Sequence, residues 1–192
     1  KNHCFESSND LALFDTWCEI SHGGLTPNPA CRGMEWFRPI EGVHAAHQLR
    51  RSMKPQNPRF SYSVSDYPLE DYSTGLIAGQ TVRFLEQHRD GPFALWVSFP
   101  DPHEPWVVPE QYAAMFPPEK IDLPPWPEDE FDQRTPERNR VLYQMLNMTE
   151  DDLADVYGLM AVYYGMVRFI DDGLGQIIEA LEALDLRKNT IV

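Results

Sequence analysis

Two stretches of this chain hold residues whose types and spacing could do chemistry. In residues 92–106, PFALWVSFPDPHEPW, an apolar run breaks into a loop that carries His103. Pro100, Pro102 and Pro105 fix φ at three positions there and withhold three backbone donors, so the loop is stiff. A titratable imidazole on a stiff loop is well placed to give or take a proton near neutral pH. It can equally be a loop histidine that bonds a carbonyl, and the residues alone leave the two readings level. Lys1-Asn2-His3 sets an ammonium and an imidazole two residues apart. In an extended segment, residues i and i+2 project to the same side, so both can face one anion. Without other context this trio reads more simply as a frayed basic terminus.

The remaining candidates are weaker. His44 and His47, at i and i+3, would share a helical face and could bind a metal; with no third ligand evident, a solvated pair is preferred. His88 sits where a helix should end, and the helix dipole favours a cation there. Asp171-Asp172, inside a helical pattern, could supply a carboxylate ligand, but a solvated or side-chain-paired role is preferred. Glu104 either lines a pocket with His103 or faces water. His22, before Gly23-Gly24, carries no separable signal. Cys4, Cys18 and Cys31 form no CxxC pair and no metal-ligand spacing, and an odd count leaves at least one unpaired, so no disulfide framework is expected. Asn147-Met148-Thr149 fits a glycosylation sequon, a single weak match. No phosphate-cradling glycine loop, nucleophile elbow, zinc motif or catalytic nucleophile is present in the sequence.

The elements that must position these groups follow from composition and periodicity. The chain has 192 residues, 42% of them hydrophobic, enough for one core or a large piece of a bigger domain. Thirty acidic against 16 basic residues give a net charge of −14, which argues against nucleic-acid or anionic-membrane partners. No apolar run approaches the ~20 residues of a membrane span. Residues 93–99 are continuously apolar and rich in aromatic and branched side chains, the pattern of a strand buried on both faces in a parallel sheet. In open α/β sheets, sites lie just beyond the carboxyl ends of such strands, where His103 would stand.

Residues 1 to about 70 read as loop and short elements, with a short helical turn at 42–51. Asp71 or Ser73 should cap a helix running to about His88. Proline and acidic residues dominate from Pro105 to Pro136, and 107–148 reads as an excursion. Thr149-Glu150-Asp151-Asp152 is a helix start, with Thr149 as cap and Asp152 in the capping-box position. A long helix should follow to about Leu184, burying a stripe of Leu153, Val156, Tyr157, Met160, Tyr164, Val167, Ile170, Leu174, Ile177, Ile178 and Leu181. Gly165, Gly173 and Gly175 should mark close packing or a bend. Lys188-Asn189 then turns into a strand at 190–192. Lys1 is no initiator and the last residues stop as a strand begins, so 1–192 is read as an internal segment; the plainer alternative is a short terminal edge strand after ordinary processing.

Three stretches together resemble the sulfatase family of the alkaline-phosphatase-like superfamily. Lys1-Asn2-His3 resembles its Gly-Lys-x-His element, and PFALWVSFPDPHEPW its strand and Pro-His-x-Pro loop. YYGMVRFIDDGLGQIIEALEALDLRKNTIV, residues 163–192, resembles the helix with Ile-Asp-Asp that leads to the next core strand. The resemblance implies an α/β fold, a mainly parallel central sheet flanked by helices and completed by strands outside this segment. It implies that Lys1 pairs with oxygens of the bound anion. His3 would bond the nucleophile and act as base when the covalent intermediate breaks down. His103 would contact the anion and assist the leaving group as general acid.

The departures from the family pattern matter as much. The family's nucleophile is a formylglycine made from Cys or Ser in a Cys/Ser-x-Pro-x-Arg motif, and none of the three cysteines fits it. The carboxylate ligands for Ca2+, or another divalent cation, fall outside this segment in the family's order, so no metal ligand is assigned here. The resemblance therefore implies half a site, inactive in isolation, within a parent that hydrolyses a small-molecule or glycan sulfate ester. A phosphonate monoester or phosphodiester hydrolase shares the motifs, and a non-catalytic sulfated-glycan-binding relative is the rival from another class. Compartment and oligomeric state are not legible.

Overall fold

The computed structural model describes residues 8–20, 30–52, 60–125, 135–146 and 149–192. In chain order the elements are α1 (Ser8–Leu11), β1 (Trp17–Glu19), β2 (Ala30–Arg32), α2 (Ile40–Ser52) and β3 (Tyr62–Ser65). They continue with α3 (Ser73–His88), β4 (Trp106–Pro109), α4 (Glu110–Ala113), α5 (Glu137–Leu146) and α6 (Glu150–Ala183), with short 3₁₀ turns between.

β3 and β4 pair in parallel, from Tyr62 opposite Trp106 to Ser65 opposite Pro109. Parallel strands cannot be joined by a hairpin, and α3 lies on the crossover between them, as a β–α–β unit requires. This is the α/β organisation expected from the sequence. One core cluster forms where Tyr62, Tyr72, Val108 and Tyr112 meet Val162, Met166 and Phe169 of α6. A second joins Phe84 and Leu85 of α3 to Ile177 and Leu181 of α6.

α6 begins as its sequence dictates. Thr149 accepts from the Asp152 amide while the Asp152 carboxylate accepts from the Thr149 amide, a full capping box. The expected stripe holds at its end, where Ile177 and Leu181 are buried, but is rotated before it: Tyr157, Val167 and Leu174 are exposed, and the buried line there runs through Val162, Met166 and Phe169. The two glycines explain the rotation. A Cβ at Gly165 would lie 3.1 Å from Tyr112 O and Val108 Cγ2, and one at Gly173 would lie 3.4 Å from Ala78 Cβ. The helix thus turns its small residues, not its largest ones, toward the closest approach of β4, α4 and α3. By length and composition α6 could cross a membrane, but its buried line here is the wall of the protein core.

Four further expectations are corrected. Residues 93–99 are not assigned to a strand, and they are not buried on both faces. Phe93, Val97 and Phe99 pack on the α3–α6 cluster, whereas Leu95 and Trp96 are exposed. A strand exists through its ladder, and none is assigned to this run. For the same reason 190–192 is not a strand: a 3₁₀ turn at Arg187–Asn189 precedes it, and Ile191 and Val192 are exposed. The segment 42–51 is more than a turn, being most of the 13-residue α2.

Cys18 and Cys31 stand opposite each other in the antiparallel β1–β2 pair and are joined as a disulfide. The odd cysteine count was a poor guide because pairing needs only two facing positions. The Gln80 side chain of α3 donates to both sulfurs and to Glu35 O, tying this hairpin to the core.

Candidate active site

His103 lies in the turn that links the 93–99 run to β4, and both Asp101-Pro102 and Glu104-Pro105 are cis. Its amide donates to Pro100 O at 3.2 Å, closing the turn. The imidazole Nδ1 is 2.7 Å from Glu104 O. A carbonyl oxygen only accepts, so Nδ1 carries its hydrogen and, in the neutral ring, Nε2 is the unprotonated nitrogen. The reading of His103 as a loop histidine that bonds a carbonyl is met at Nδ1. Downstream the turn is anchored by Trp106, whose amide donates to Ser61 O at 2.8 Å and whose indole donates to Pro102 O at 3.1 Å.

Upstream the turn is anchored by polar groups on α2 and at the start of α3. Thr74 Oγ1, fully buried, donates to Asp101 Oδ2. Burial pushes the Asp101 carboxyl above the ordinary carboxylate range, against the opposing pull of the Thr74 hydrogen bond and the Arg50 charge. Arg50 is itself buried, donates through Nη2 to Asp71 O, and lies 4.6 Å over the Tyr72 ring. Arg38 reaches the same corner, with Nη2 2.6 Å from Asp71 Oδ1 and Nη1 3.1 Å from Glu70 Oε1.

His44 and His47 share a face of α2 as the spacing suggested, but they are not a solvated pair: His47 is buried. Burial first, then the neighbouring Arg50 charge, lowers the His47 pKa to about 4, so it is neutral at pH 7. Among the described residues no group of three or more His, Cys, Asp or Glu side chains could hold a metal ion.

The other candidates fall as follows. Lys1 and His3 lie outside the described residues, as does Cys4. Glu104 faces solvent and contributes its carbonyl to His103. Asp171 and Asp172 are paired to Arg168, at 3.2 and 2.6 Å. His88 Nδ1 meets Phe84 O at 2.9 Å and its ring stacks on Phe84, a local role at the end of α3. The helix α3 lacks the expected cap: its N-cap is Tyr72, without a side-chain cap bond, and Asp71 is turned to Arg38. Asp101, Thr74 and Arg50 were missed, since only the fold brings together partners 27 and 21 residues apart.

Comparison with known proteins gives the family of the chain. The family model described as Sulfatase matches residues 24–192. A sulfatase of Formosa agariphila is 29% identical over 113 residues, 57% of this chain and 22% of that protein. The uncharacterized sulfatase YidJ of Escherichia coli K12 is 30% identical over 118 residues, 60% of this chain and 23% of its own length. An ulvan-active sulfatase of Formosa agariphila is 25% identical over 188 residues, 95% of this chain and 31% of that protein. The chain thus spans less than a third of the length of these relatives. With a family match running from residue 24 to residue 192, across the α3–β4 unit and the His103 turn, this chain belongs to the sulfatase family.

Proposed function

We propose that this chain is part of a hydrolase of sulfate monoesters, to which it supplies anion-binding and acid–base groups. His103 is the general acid: with Nδ1–H tied to Glu104 O, its imidazolium offers the Nε2 proton to the departing oxygen. That tautomer-fixing bond, in a turn held at both ends, is the observation that carries the reading. Lys1 and His3 complete it as anion partner and base, on the strength of their family-like sequence alone. A formylglycine nucleophile and a divalent cation, contributed from outside this segment, would supply attack and charge neutralisation. The name of the ulvan-active relative supports a sulfated glycan as the first substrate class to assay.

The test is a leaving-group series on the full-length enzyme. An activated aryl sulfate departs as a stabilised phenolate and needs little help, whereas a sugar or alkyl sulfate departs as a basic alkoxide. His103→Ala should lower kcat on the unactivated esters by about 10²–10⁴-fold and on activated ones far less. Equal losses on both would assign His103 to anion binding or structure. Assaying aryl phosphonates beside the sulfates decides which anion is turned over.

A further inference from the structure

We propose that Asp101 is a positioning residue for His103, holding the imidazole-bearing turn against the first helical turn of α3 through Thr74. The inference rests on the general-acid reading of His103 and adds to it the device that aims the ring. The turn is clamped at two places. On the downstream side, the β4 register and the Trp106 indole fix Pro102 and Pro105. On the upstream side, Thr74 Oγ1 donates to the Asp101 carboxylate across 27 residues of sequence. His103 lies between these clamps, so a small slip at Asp101 becomes a displacement of the ring.

The surroundings of Asp101 are built for rigidity. Thr74 is fully buried, and α6 backs it closely: a Cβ at Gly173 would stand 3.6 Å from Thr74 Cγ2. Arg50, whose charge balances the carboxylate, is pinned by Asp71 O and by the rings of Tyr72 and Tyr67 at 4.6 and 5.4 Å. A buried carboxyl is costly unless it is hydrogen-bonded and charge-compensated, and both conditions are met here. The hydrogen bond from Thr74 also spends a first-turn side chain of α3 on the loop, where the helix itself has no side-chain cap. A misplacement of about 1 Å can cost about 10²-fold in rate, so the clamp has a kinetic consequence.

Thr74→Val keeps shape and burial and removes only the donor; Thr74→Ser keeps the donor. Asp101→Ala risks general unfolding, so the Thr74 pair is the main test. In full-length enzyme, Thr74→Val should lower kcat on unactivated sulfate esters by about 10- to 100-fold. It should leave KM and the activated aryl ester nearly unchanged, and Thr74→Ser should restore kcat. Nitrogen-15 NMR of the histidines should show the His103 tautomer balance altered in Thr74→Val and native in Thr74→Ser. If His103→Ala shows the leaving-group contrast and Thr74→Val does not, the proposal is overturned while the general-acid reading stands. If His103→Ala shows no contrast, the general-acid reading falls, and the NMR alone decides on positioning. A His103 tautomer unmoved by Thr74→Val then overturns it, and a shifted one supports it.

Discussion

The two long helices that pack on each other, α3 and α6, begin in opposite ways. α6 is self-sufficient: Thr149 and Asp152 satisfy each other's backbone amides within one turn, and Glu150 and Asp151 add negative charge to the dipole's positive end. α3 starts at Tyr72 with no side-chain cap, and the residues that could have served its own amides serve distant partners. Asp71 pairs with Arg38, Thr74 donates to Asp101, and the Tyr72 hydroxyl donates to Ser65 O at 2.8 Å. Local rules hold where the element is only structural and give way where it supports a site. Because α3 relies on tertiary contacts to start, its N-terminus is also the part that can transmit position to the His103 turn.

The sharpest way to break this contrast is to remove the tertiary partners of α3. Asp71→Ala strips Arg38 of its 2.6 Å carboxylate and leaves it the more exposed Glu70. Breaking a buried ion pair from one side costs about 3–5 kcal/mol; since Arg38 keeps partial solvent contact and a second partner, about 2–4 kcal/mol is expected. Urea unfolding measures it. A loss below that of a simple capping mutant would show that α3 does not depend on this corner.

Acid should attack the same corner next. The folded His47 pKa of about 4 lies below its ordinary 6.5, so between those values the unfolded chain binds a proton that the folded chain refuses. Stability therefore rises with pH across this window: His47's contribution is complete above pH 6.5 and is lost as pH falls to about 4. The loss is about 2–3 kcal/mol, trimmed from the full linkage value for residual solvent contact. His47→Gln, neutral throughout, should flatten that part of the stability–pH curve. An unchanged slope would mean that His47 is protonated in the folded protein.

What was legible in the sequence follows the same division. The start of α6, the extent of α3 and the parallel α/β character could be read because near neighbours encode them: a Thr three residues before an Asp, an apolar period, a Gly after a helix. The turn that carries His103 was legible because three prolines announce a stiff loop there. The apolar run at 93–99 misled, since its composition specifies burial but its ladder depends on partners that composition cannot name. β3, only four residues with two serines, gave no such signal, yet it holds the turn's downstream clamp through Ser61 O. Asp101, Thr74, Arg50 and His47 were illegible for a different reason. Each is an ordinary polar residue until the fold buries it, and the pairs that matter are separated by whole elements.

The smallest expected effect tests the self-sufficient side of the comparison. Thr149 Oγ1 accepts from the Asp152 amide at 3.2 Å, while Asp152 Oδ2 accepts from the Thr149 amide at 2.8 Å. Thr149→Ala removes the acceptor and frees one amide to water at the helix end, at a cost of about 1 kcal/mol. Thr149→Ser keeps the oxygen and should cost little. Since the cap is closed within the first turn of α6, the alanine variant should keep its leaving-group dependence intact while its urea midpoint falls. Asp152 is buried, so its carboxylate partly loses compensation when the threonine hydroxyl goes. A loss well above 1 kcal/mol would then mean that the capping box also carries tertiary packing, and the contrast between the two helix starts would narrow. A changed leaving-group dependence would be more damaging, because it would place the start of α6 in mechanical contact with a turn that α3 and the β3–β4 pair hold.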